Sequence, residues 1–238
     1  MEKKKGFSRI LLKLSGEVFG GQKSSGVDYH AVCQIAKDIL QIRKLGVEIA
    51  IVNGSGNLFR GRSGSAEGMD ETAADYVGML ATLMNSLVLQ DALEKLDVPT
   101  RVLSAIDANK VAEPYIRRRA IRHMEKGRVV ICAGGLGNPC FTTDTAAVLR
   151  AIELDCDIVM KASNVDGVYD CDPKQNSQAE KFDTLPYNEV LQKHLKVIDA
   201  TAVSLAREKG MPILIFDYTK KDNLRKAVLE EKIGTLIS

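Results

Sequence analysis

Residues Cys132 to Ala147, which read C-A-G-G-L-G-N-P-C-F-T-T-D-T-A-A, have the composition of a phosphate-binding segment. They follow the apolar run 128–132 and precede a helical pattern that begins near Asp144, so a buried strand is predicted to open into a glycine-rich turn at a helix start. Glycines let backbone N–H groups approach an anion closely, and a helix N-terminus adds a partial positive charge. The segment therefore predicts a site for phosphate.

Two lysines stand at the ends of apolar runs. Lys13 lies in I-L-L-K-L and is followed by Ser15-Gly16, whereas Lys161 ends the run 157–161. A lysine among buried residues is costly unless an anion or a carboxylate meets it. Both lysines are therefore candidates for neutralising a transferring phosphoryl group. The structural alternative is a lysine that snorkels at a strand end.

A second glycine loop, 54–61 (G-S-G-N-L-F-R-G), offers backbone donors and the guanidinium of Arg60, a combination suited to phosphate, although a plain turn is the alternative.

Two familiar nucleotide motifs are excluded. The segment 21–26 has the glycines of a P-loop but is followed by Val27-Asp28 in place of Lys-Ser/Thr. No G-x-G-x-x-G follows a predicted strand, which disfavours a hydride-transfer enzyme.

Four further polar residues extend this chemistry. Tyr169 and Asp172 follow the second lysine and could hold an adenine nucleotide; a turn with surface acids is the alternative. Asp144 and Asp199 each begin a predicted helix, where a role as N-cap would by itself account for either. In-line phosphoryl transfer needs positioning and charge neutralisation more than covalent chemistry, so these residues are sufficient for it.

The composition is typical of a soluble globular protein: 238 residues, 45% hydrophobic, 27% charged, with a net charge of +2. So small a net charge predicts no general affinity for nucleic acid. The five cysteines contain no C-x-x-C pair and the three histidines lack metal-ligand spacing, which indicates reduced, buried thiols in a cytoplasmic protein. No signal peptide and no apolar run near 18 residues is found, so no membrane partner is expected.

Strands and helices are predicted to alternate along the chain. The predicted strands are 9–14, 47–53, 101–104, 129–133, 157–161 and 212–216, with a short edge strand at 235–237. The predicted helices are 28–45, 72–96, 107–126, 144–153, 199–209 and 222–230, and 172–186 is predicted to be an exposed loop. This order predicts an α/β fold, a single domain over 1–238 with a largely parallel central sheet covered by helices on both faces as a three-layer α/β/α sandwich. The polar loops follow strand ends, so a common crevice is expected there.

Five motifs together resemble those of the bacterial UMP kinase family, the uridylate kinase branch of the amino acid kinase superfamily. They are K-L-S-G-E (13–17), G-S-G-N-L-F-R-G (54–61), A-D-Y-V-G-M-L-A-T (74–82), G-N-P-C-F-T-T-D-T-A-A (137–147) and K-A-S-N-V-D-G-V-Y (161–169). The likeness extends from Arg9 to Ile237. It implies the amino acid kinase fold, in which roughly residues 1–160 bind UMP and roughly residues 161–238 bind ATP. It also implies transfer of the ATP γ-phosphoryl group to UMP, which gives UDP and ADP in pyrimidine nucleotide biosynthesis.

The resemblance also implies the site residues. Lys13 and Lys161 would neutralise charge on the transferring group, while Asp144 and Asp199 would orient them and the hydrated Mg²⁺ that ATP carries, with no direct protein ligand to the metal. The residues implied for ATP are Lys13, Leu14, Ser15, Gly16, Gly56, Arg60, Ser163, Tyr169 and Asp172. Those implied for UMP are Ser55, Asp75 (beside the ribose hydroxyls), Leu136, Gly137, Asn138, Pro139, Cys140, Phe141, Thr142 and Thr143.

The family further implies a homohexamer, activation by GTP and inhibition by UTP. The positions that bind GTP elsewhere are only partly basic in this chain, with Arg101 and Arg128 as candidates. The family usually has G-G-G-N where this chain has Gly54-Ser55-Gly56-Asn57. If that position requires a positive φ, Ser55 costs on the order of 1 kcal/mol relative to glycine, and the site is still expected to bind UMP.

Two other functions are compatible with the same fold. One is a nucleotide storage or sensor protein, which would have no need for the charged residues that neutralise a transition state. The other is a kinase for a small carboxylate, which would require an arginine poised for that carboxylate and is disfavoured by Asp75.

Overall fold

The computed structural model describes residues 6–23, 25–59, 68–171, 176, 178–193, 195 and 197–238, so that Arg60 and Asp172 lie outside the described residues. The strands in these ranges are β1 (Arg9–Leu14), β2 (Glu48–Asn53), β3 (Thr100–Ser104), β4 (Glu113–Pro114), β5 (Val129–Ala133), β6 (Ile158–Ser163), β7 (Val168–Tyr169), β8 (Lys181–Phe182), β9 (Thr184–Leu185), β10 (Ile213–Asp217) and β11 (Thr235–Ile237). The helices are α1 (Glu17–Gly20), α2 (Tyr29–Arg43), α3 (Glu71–Glu94), α4 (Arg117–Glu125), α5 (Thr143–Glu153), α6 (Tyr187–Gln192), α7 (Ala200–Lys209) and α8 (Asn223–Val228).

Nine of these strands form one sheet in the order β4-β3-β5-β2-β1-β6-β10-β11-β9. Neighbouring strands are parallel except for the antiparallel pair β10–β11. The first strand, β1, lies in the middle of the sheet; β2, β3 and β5 are added on one side, and the chain then crosses to β6 and β10 on the other. The carboxyl end of β1 is therefore a topological switch point, where an open parallel sheet leaves a crevice for ligands.

The two faces of the sheet bury two separate apolar cores. Ile10, Leu12 and Leu14 of β1 pack into the core that α2, α3 and α8 complete. Leu11, on the opposite face, packs into the core that α4, α5, α6 and α7 complete. Because side chains alternate along a strand, Lys13 projects from the same face as Leu11. The three-layer α/β/α arrangement and the largely parallel sheet that the sequence predicts are thus confirmed.

The long helix α3 is buried on one side and exposed on the other. Among the helices of the described residues, it is the one whose length and apolar composition would allow it to cross a membrane. It also contacts α2, β2, β3 and β5. Its inner side carries the polar residues Thr82, Asn85 and Ser86, all at most 2% exposed. These contacts and buried side chains indicate that α3 is a core helix of the folded domain.

The sequence pattern is wrong in three places. The helix predicted at 107–126 begins only at Arg117, and residues 113–114 pair with β3 instead, because Pro114 lacks the N–H that a helix interior needs. Strand 235–237 is not at the edge of the sheet, since β9 pairs along its outer side. Strands β8 and β9 form within the described residues of 172–186, a range that the sequence predicts to be a loop.

The cysteines are less uniformly buried than the sequence predicts. Cys132 and Cys156 are buried and Cys33 is half-buried, whereas Cys140 and Cys171 are exposed, and all five are free thiols. The two exposed cysteines follow strand ends, in loops that also carry glycine or aspartate.

Candidate active site

The register of the central strands brings the two lysines together. Lys13 of β1 is paired directly with Lys161 of β6. Register partners on parallel strands project from the same face of the sheet, and neighbouring strands lie about 4.8 Å apart. The two ammonium groups therefore reach the same region above the carboxyl end of the sheet, although the residues are far apart in the sequence.

The carboxylate of Asp144 lies between the two ammonium groups. Its Oδ1 lies 2.8 Å from Nζ of Lys13 and its Oδ2 lies 2.5 Å from Nζ of Lys161. The three side chains are only 11%, 14% and 12% exposed for Lys13, Lys161 and Asp144, respectively, so water screens these pairs weakly. Lys161 also donates to the backbone oxygen of Val197 at 2.6 Å. Neither lysine therefore snorkels into solvent, and the structural alternative is wrong for both.

The charges of this triad are set by burial and by each other. Burial by itself would raise the pKa of the Asp144 carboxyl, but the two ammonium groups outweigh burial and lower this pKa to about 2. Burial also lowers the pKa of Lys161, and the nearby charge of Lys13 adds to that effect against the opposing attraction of Asp144. Asp144 is therefore an anion at neutral pH, and it offsets the repulsion between two like charges.

Asp144 is not the N-cap of its helix. The N-cap of α5 is Thr142, whose hydroxyl accepts the backbone N–H groups of Asp144 and Thr145 at 3.1 and 3.4 Å. This arrangement leaves the Asp144 side chain available for the lysines. Asp199, by contrast, does cap α7, because its Oδ1 accepts the backbone N–H of Ala202 at 2.8 Å. Capping thus describes Asp199 and not Asp144.

Asp199 joins α7 to α5. Its carboxylate accepts hydrogen bonds from the hydroxyl of Thr142 and from that of Thr145, the latter at 3.0 Å to Oδ1. The contacts of Asp199 in the described residues are therefore to these helix starts, and it acts on Lys161 only through longer-range attraction. The N-termini of both helices consequently meet beside the lysines.

The loops after β1 and β2 touch each other. The backbone N–H of Gly54 donates to the oxygen of Leu14 at 2.9 Å. A Cβ on Gly16 would lie 2.2 Å from the nitrogen of Gly56, so only glycine allows this approach. The side chain of Leu14 is fully buried, which leaves only its backbone for a ligand. Ser55 has no positive φ and donates its hydroxyl to the oxygen of Phe59 at 3.0 Å, so the strain considered for a serine here does not arise.

A buried polar network supports the second glycine loop. Asn85 exchanges hydrogen bonds with Asn57 at 2.8 and 3.1 Å and donates to the oxygen of Gly54 at 2.9 Å. Asn53 accepts from Ser86 at 2.7 Å. The sequence analysis missed these residues. The available signal was three polar residues, 82, 85 and 86, at helical spacing in the otherwise apolar middle of the helix, residues 77–89.

The loop 134–143 is held at both ends. The N–H of Gly134 donates to the hydroxyl of Thr82 at 2.9 Å, and the N–H of Cys140 donates to Oδ2 of Asp75 at 2.7 Å. Between them, Gly137 has a φ of 77°, and a Cβ there would lie 2.7 Å from the oxygen of Ala105. Helix α3 thus supplies both anchors. Of the remaining loop residues, Gly135, Leu136, Pro139 and Thr143 are half-buried, whereas Asn138, Phe141 and Thr142 are exposed.

A cavity of about 1500 Å³ opens on the other side of the lysines. Of the residues singled out in the sequence, Lys13, Ser15, Lys161, Ser163 and Tyr169 line it. None of the described residues in loops 54–59 and 134–143 does so. The lysine triad therefore lies at the boundary between a large cavity and a pair of glycine loops, an arrangement suited to two ligands that meet at the ammonium groups.

The cavity also has walls that the sequence analysis missed. These include Gln34 and Asp38 from α2, and Asp217, Tyr218, Thr219, Lys220, Asn223 and Arg225 from the segment at the end of β10. The hydroxyl of Tyr218 donates to Asp38 at 2.7 Å, which joins the two walls. Asp217 ends a strand at the same sheet edge as Lys161, so the strand-end rule that identified the lysine applies to this segment as well.

Comparison with known proteins agrees with this geometry. Residues 8–217 match the model of the amino acid kinase family. A UMP kinase from Bacillus anthracis is similar with a TM-score of 0.95 and 40% identity, over 98% of this chain and 96% of that chain. A UMP kinase from Ureaplasma parvum gives 0.92 and 37%, over 97% and 98%. A uridylate kinase from Archaeoglobus fulgidus gives 0.75 and 28%, over 96% and 99%.

The triad predicts how Asp144→Asn affects stability. Neutralising the carboxylate removes the ion-pair partner of two buried ammonium groups, and we expect the free energy of unfolding at pH 7 to fall by about 3–5 kcal/mol. The pKa of Asp144 is lowered, so its stabilisation is present above the unfolded pKa of about 4 and is lost as the pH falls toward 2. Urea unfolding at pH 7 and pH 5 should therefore give the same difference from the wild type.

The matched control is Asp91→Asn, which makes the same change in the exposed ion pair with Lys95. That change should cost less than about 1 kcal/mol. Equal effects of the two variants would show that the triad does not stabilise the fold.

Proposed function

The chain belongs to the amino acid kinase family, and we propose that it is a UMP kinase, which transfers the γ-phosphoryl group of ATP to UMP and yields ADP and UDP. The observation that carries this proposal is the Lys13–Asp144–Lys161 triad at the boundary between the cavity and the glycine loops. Similarity to two UMP kinases over nearly the whole chain supports UMP as the acceptor. Since the product is a pyrimidine nucleotide, the reaction belongs to pyrimidine nucleotide biosynthesis.

In this proposal ATP occupies the cavity and is bound mostly by residues 161–238. Its phosphates lie toward Lys13, Lys161 and the backbone of Leu14–Gly16, with Gly56 near them. Ser163 and Tyr169, which line the cavity, hold the nucleoside end. Arg60 and Asp172, which the family resemblance also assigns to ATP, lie outside the described residues and stay predictions.

UMP in turn occupies the side of the glycine loops and is bound mostly by residues 1–160. Its phosphate lies against Ser55 and the backbone of 136–143, beside the N-terminus of α5, where anions bind favourably. Asp75 already holds the loop through Oδ2, and we propose that Oδ1 accepts a ribose hydroxyl. Thr142 and Thr143 close the loop at the helix start. The acceptor phosphate then lies close to the lysine triad.

The proposed reaction is a direct in-line transfer. An oxygen of the UMP phosphate attacks the γ-phosphorus of ATP, a new P–O bond forms, and the bond to the β-phosphate oxygen breaks so that ADP leaves. The attacking oxygen is already an anion, so the protein need not remove a proton from it. Lys13 and Lys161 offset the negative charge on the transferring group and the leaving group, and Asp144 keeps their ammonium groups in place.

The residues of the site fit a magnesium ion that arrives with ATP. Mg²⁺ keeps several waters and binds through one or two carboxylates together with phosphates. In this site Asp144 and Asp199 would instead orient the hydrated ion through its waters, without direct coordination, and within the described ranges no three His, Cys, Asp or Glu side chains form a metal cluster. When bound, the ion would neutralise phosphate charge. The protein residues orient the nucleotide around it.

We further propose that the protein is a homohexamer in the cytoplasm. Tyr76, Leu80 and Met84, which are 45%, 53% and 54% exposed, lie four residues apart on one face of α3. Such an apolar stripe is typical of a surface that associates with another copy. The same helix carries Asp75 and the network beneath the glycine loop, so association would also stabilise the UMP side of the site.

The substrate assignment can be tested with a coupled assay of ADP release. We expect turnover with UMP, less with CMP and dTMP, and none with acetylglutamate or aspartate, because a carboxylate substrate needs an arginine poised for it and Asp75 disfavours a second carboxylate. The assay should require Mg²⁺ and stop when EDTA is added. Turnover with an amino acid substrate and none with UMP would exclude the proposal.

The same assay distinguishes a kinase from a storage or sensor protein. Lys13→Ala should abolish most turnover while ATP binding, measured by calorimetry, remains nearly intact. Loss of binding and turnover in equal proportion would favour a protein whose lysine serves binding alone.

Regulation is expected to be weak for GTP and present for UTP. Arg101 is paired with Glu94 and Glu113 at 3.5 and 3.7 Å, and Arg128 contacts His123 at 2.9 Å, so an anionic effector must compete with groups already bound. We expect GTP to change the initial rate by less than the roughly fivefold of typical allosteric coupling. UTP should inhibit by competing with UMP. A larger response to GTP would show that Arg101 and Arg128 are displaced from their partners.

The hexamer depends in this proposal on the apolar stripe of α3. Leu80→Glu puts a charge at its centre and should convert the hexamer into smaller species in sedimentation velocity experiments, whereas Leu80→Met should leave it intact. A hexamer that persists in Leu80→Glu would show that association uses another surface.

A further inference from the structure

Helix α5 presents two consecutive side chains with different partners. Asp144 forms ion pairs with both lysines, at 2.8 and 2.5 Å. Thr145, the next residue, is 3% exposed and donates its hydroxyl to Asp199, at 3.0 Å to Oδ1 and 3.2 Å to Oδ2. The burial of Thr145 places it out of reach of a nucleotide. Its hydroxyl therefore acts on the site through Asp199, whereas its backbone N–H belongs to the cap of α5.

The segment that ends at Asp199 also accepts a hydrogen bond from Lys161. The oxygen of Val197, two residues earlier, accepts a hydrogen bond from Nζ of Lys161 at 2.6 Å. Ile198, between them, is 6% exposed and packs in the core. Asp199 and the backbone oxygen that accepts from Lys161 therefore lie on one short, packed segment.

Asp199 is held from three directions. Its oxygens accept from Ala202 of its own helix, from Thr142 and from Thr145. Thr142 also caps α5, and in the proposed function it lies beside UMP, so a change there would affect several roles at once. Thr145 is the member whose side chain has this single use. Substitution of Thr145 consequently removes the hydrogen bond between α5 and Asp199 without changing the other roles of this cluster.

We propose that Thr145 is a positioning residue: its hydroxyl fixes Asp199 and thereby the Val197 oxygen that holds the Lys161 ammonium beside Asp144 and Lys13. The connection joins the start of α5, which borders the glycine loops, to the start of α7, which borders the cavity. Its kinetic consequence rests on the proposed function, since the lysine must be placed for phosphoryl transfer. Its structural consequence does not.

The test replaces Thr145 by valine, which has nearly the same shape and no hydroxyl. A small displacement of a reacting group can cost about a hundredfold in rate, so we expect kcat for UMP phosphorylation to fall about ten- to a hundredfold. The KM values for ATP and UMP should change less than about threefold, because the nucleotide contacts remain. Thr145→Ser keeps the hydroxyl and should restore most of kcat.

The matched control is Thr100→Val. Thr100 is fully buried and donates to the oxygen of Val98 at 2.9 Å, but it lies at the amino end of β3, away from the site. The Thr100→Val variant loses the same hydroxyl and a comparable hydrogen bond, and its kcat should stay within about twofold of the wild type. Thr145→Ala removes the same hydroxyl without requiring space for a methyl group, and it is measured in parallel in case the valine variant folds poorly.

Hydrogen exchange provides a readout that does not depend on activity. The amides of 197–203 should exchange faster in Thr145→Val than in the wild type or in Thr100→Val, because Ala202 donates to the carboxylate that Thr145 fixes. If the wild type does not phosphorylate UMP, the proposed function fails and this measurement still tests the positioning role. A folded Thr145→Val with wild-type kcat, failure of Thr145→Ser to restore kcat, or unchanged exchange in this segment would overturn the inference.

Discussion

The structure depends on one buried electrostatic constraint, which is that two lysines on adjacent strands require an anion between them. Their like charges lie within about one strand spacing in a poorly solvated position, where repulsion is far stronger than in water. Asp144 meets both, and its pKa of about 2 keeps it charged at neutral pH. The surrounding elements can be understood as the means of placing these three groups.

Each group is placed by a different kind of structure. Strand register places the lysines, because Lys13 and Lys161 are paired in the parallel ladder. Helix capping places the acid, because Thr142 satisfies the first N–H groups of α5 and leaves Asp144 for the ion pairs. The reversal of strand order at β1 then opens space on both sides, with a cavity toward β6 and β10 and glycine loops toward β2 and β5. Phosphoryl transfer needs positioning above all, and these are rigid means of achieving it.

Helix α3 shows how one element can serve several purposes on different faces. Its inner side carries the buried Asn85 and Ser86 beneath the second glycine loop, its start carries Asp75 against the loop 134–143, and its outer side carries the stripe 76, 80 and 84. Buried amides and hydroxyls are tolerated because each has partners, and such satisfied networks hold a loop in a single conformation. This accounts for glycine loops that keep a defined shape although glycine itself is flexible.

The sequence by itself determined the layers of this protein, the main strands, and the residues that could carry charge at their ends. These are local properties, since periodicity and strand-end glycines depend on neighbours in the chain. The tertiary structure decided which of those residues meet. It assigned Asp144 to the lysines rather than to a helix cap and brought the Asp217 segment into the cavity. It also delayed the helix expected at 107–126 until Arg117, with residues 113–114 paired to β3 instead. Such outcomes depend on register and on packing between distant segments, which no local pattern contains, whereas Arg60 and Asp172 stay predictions from the sequence.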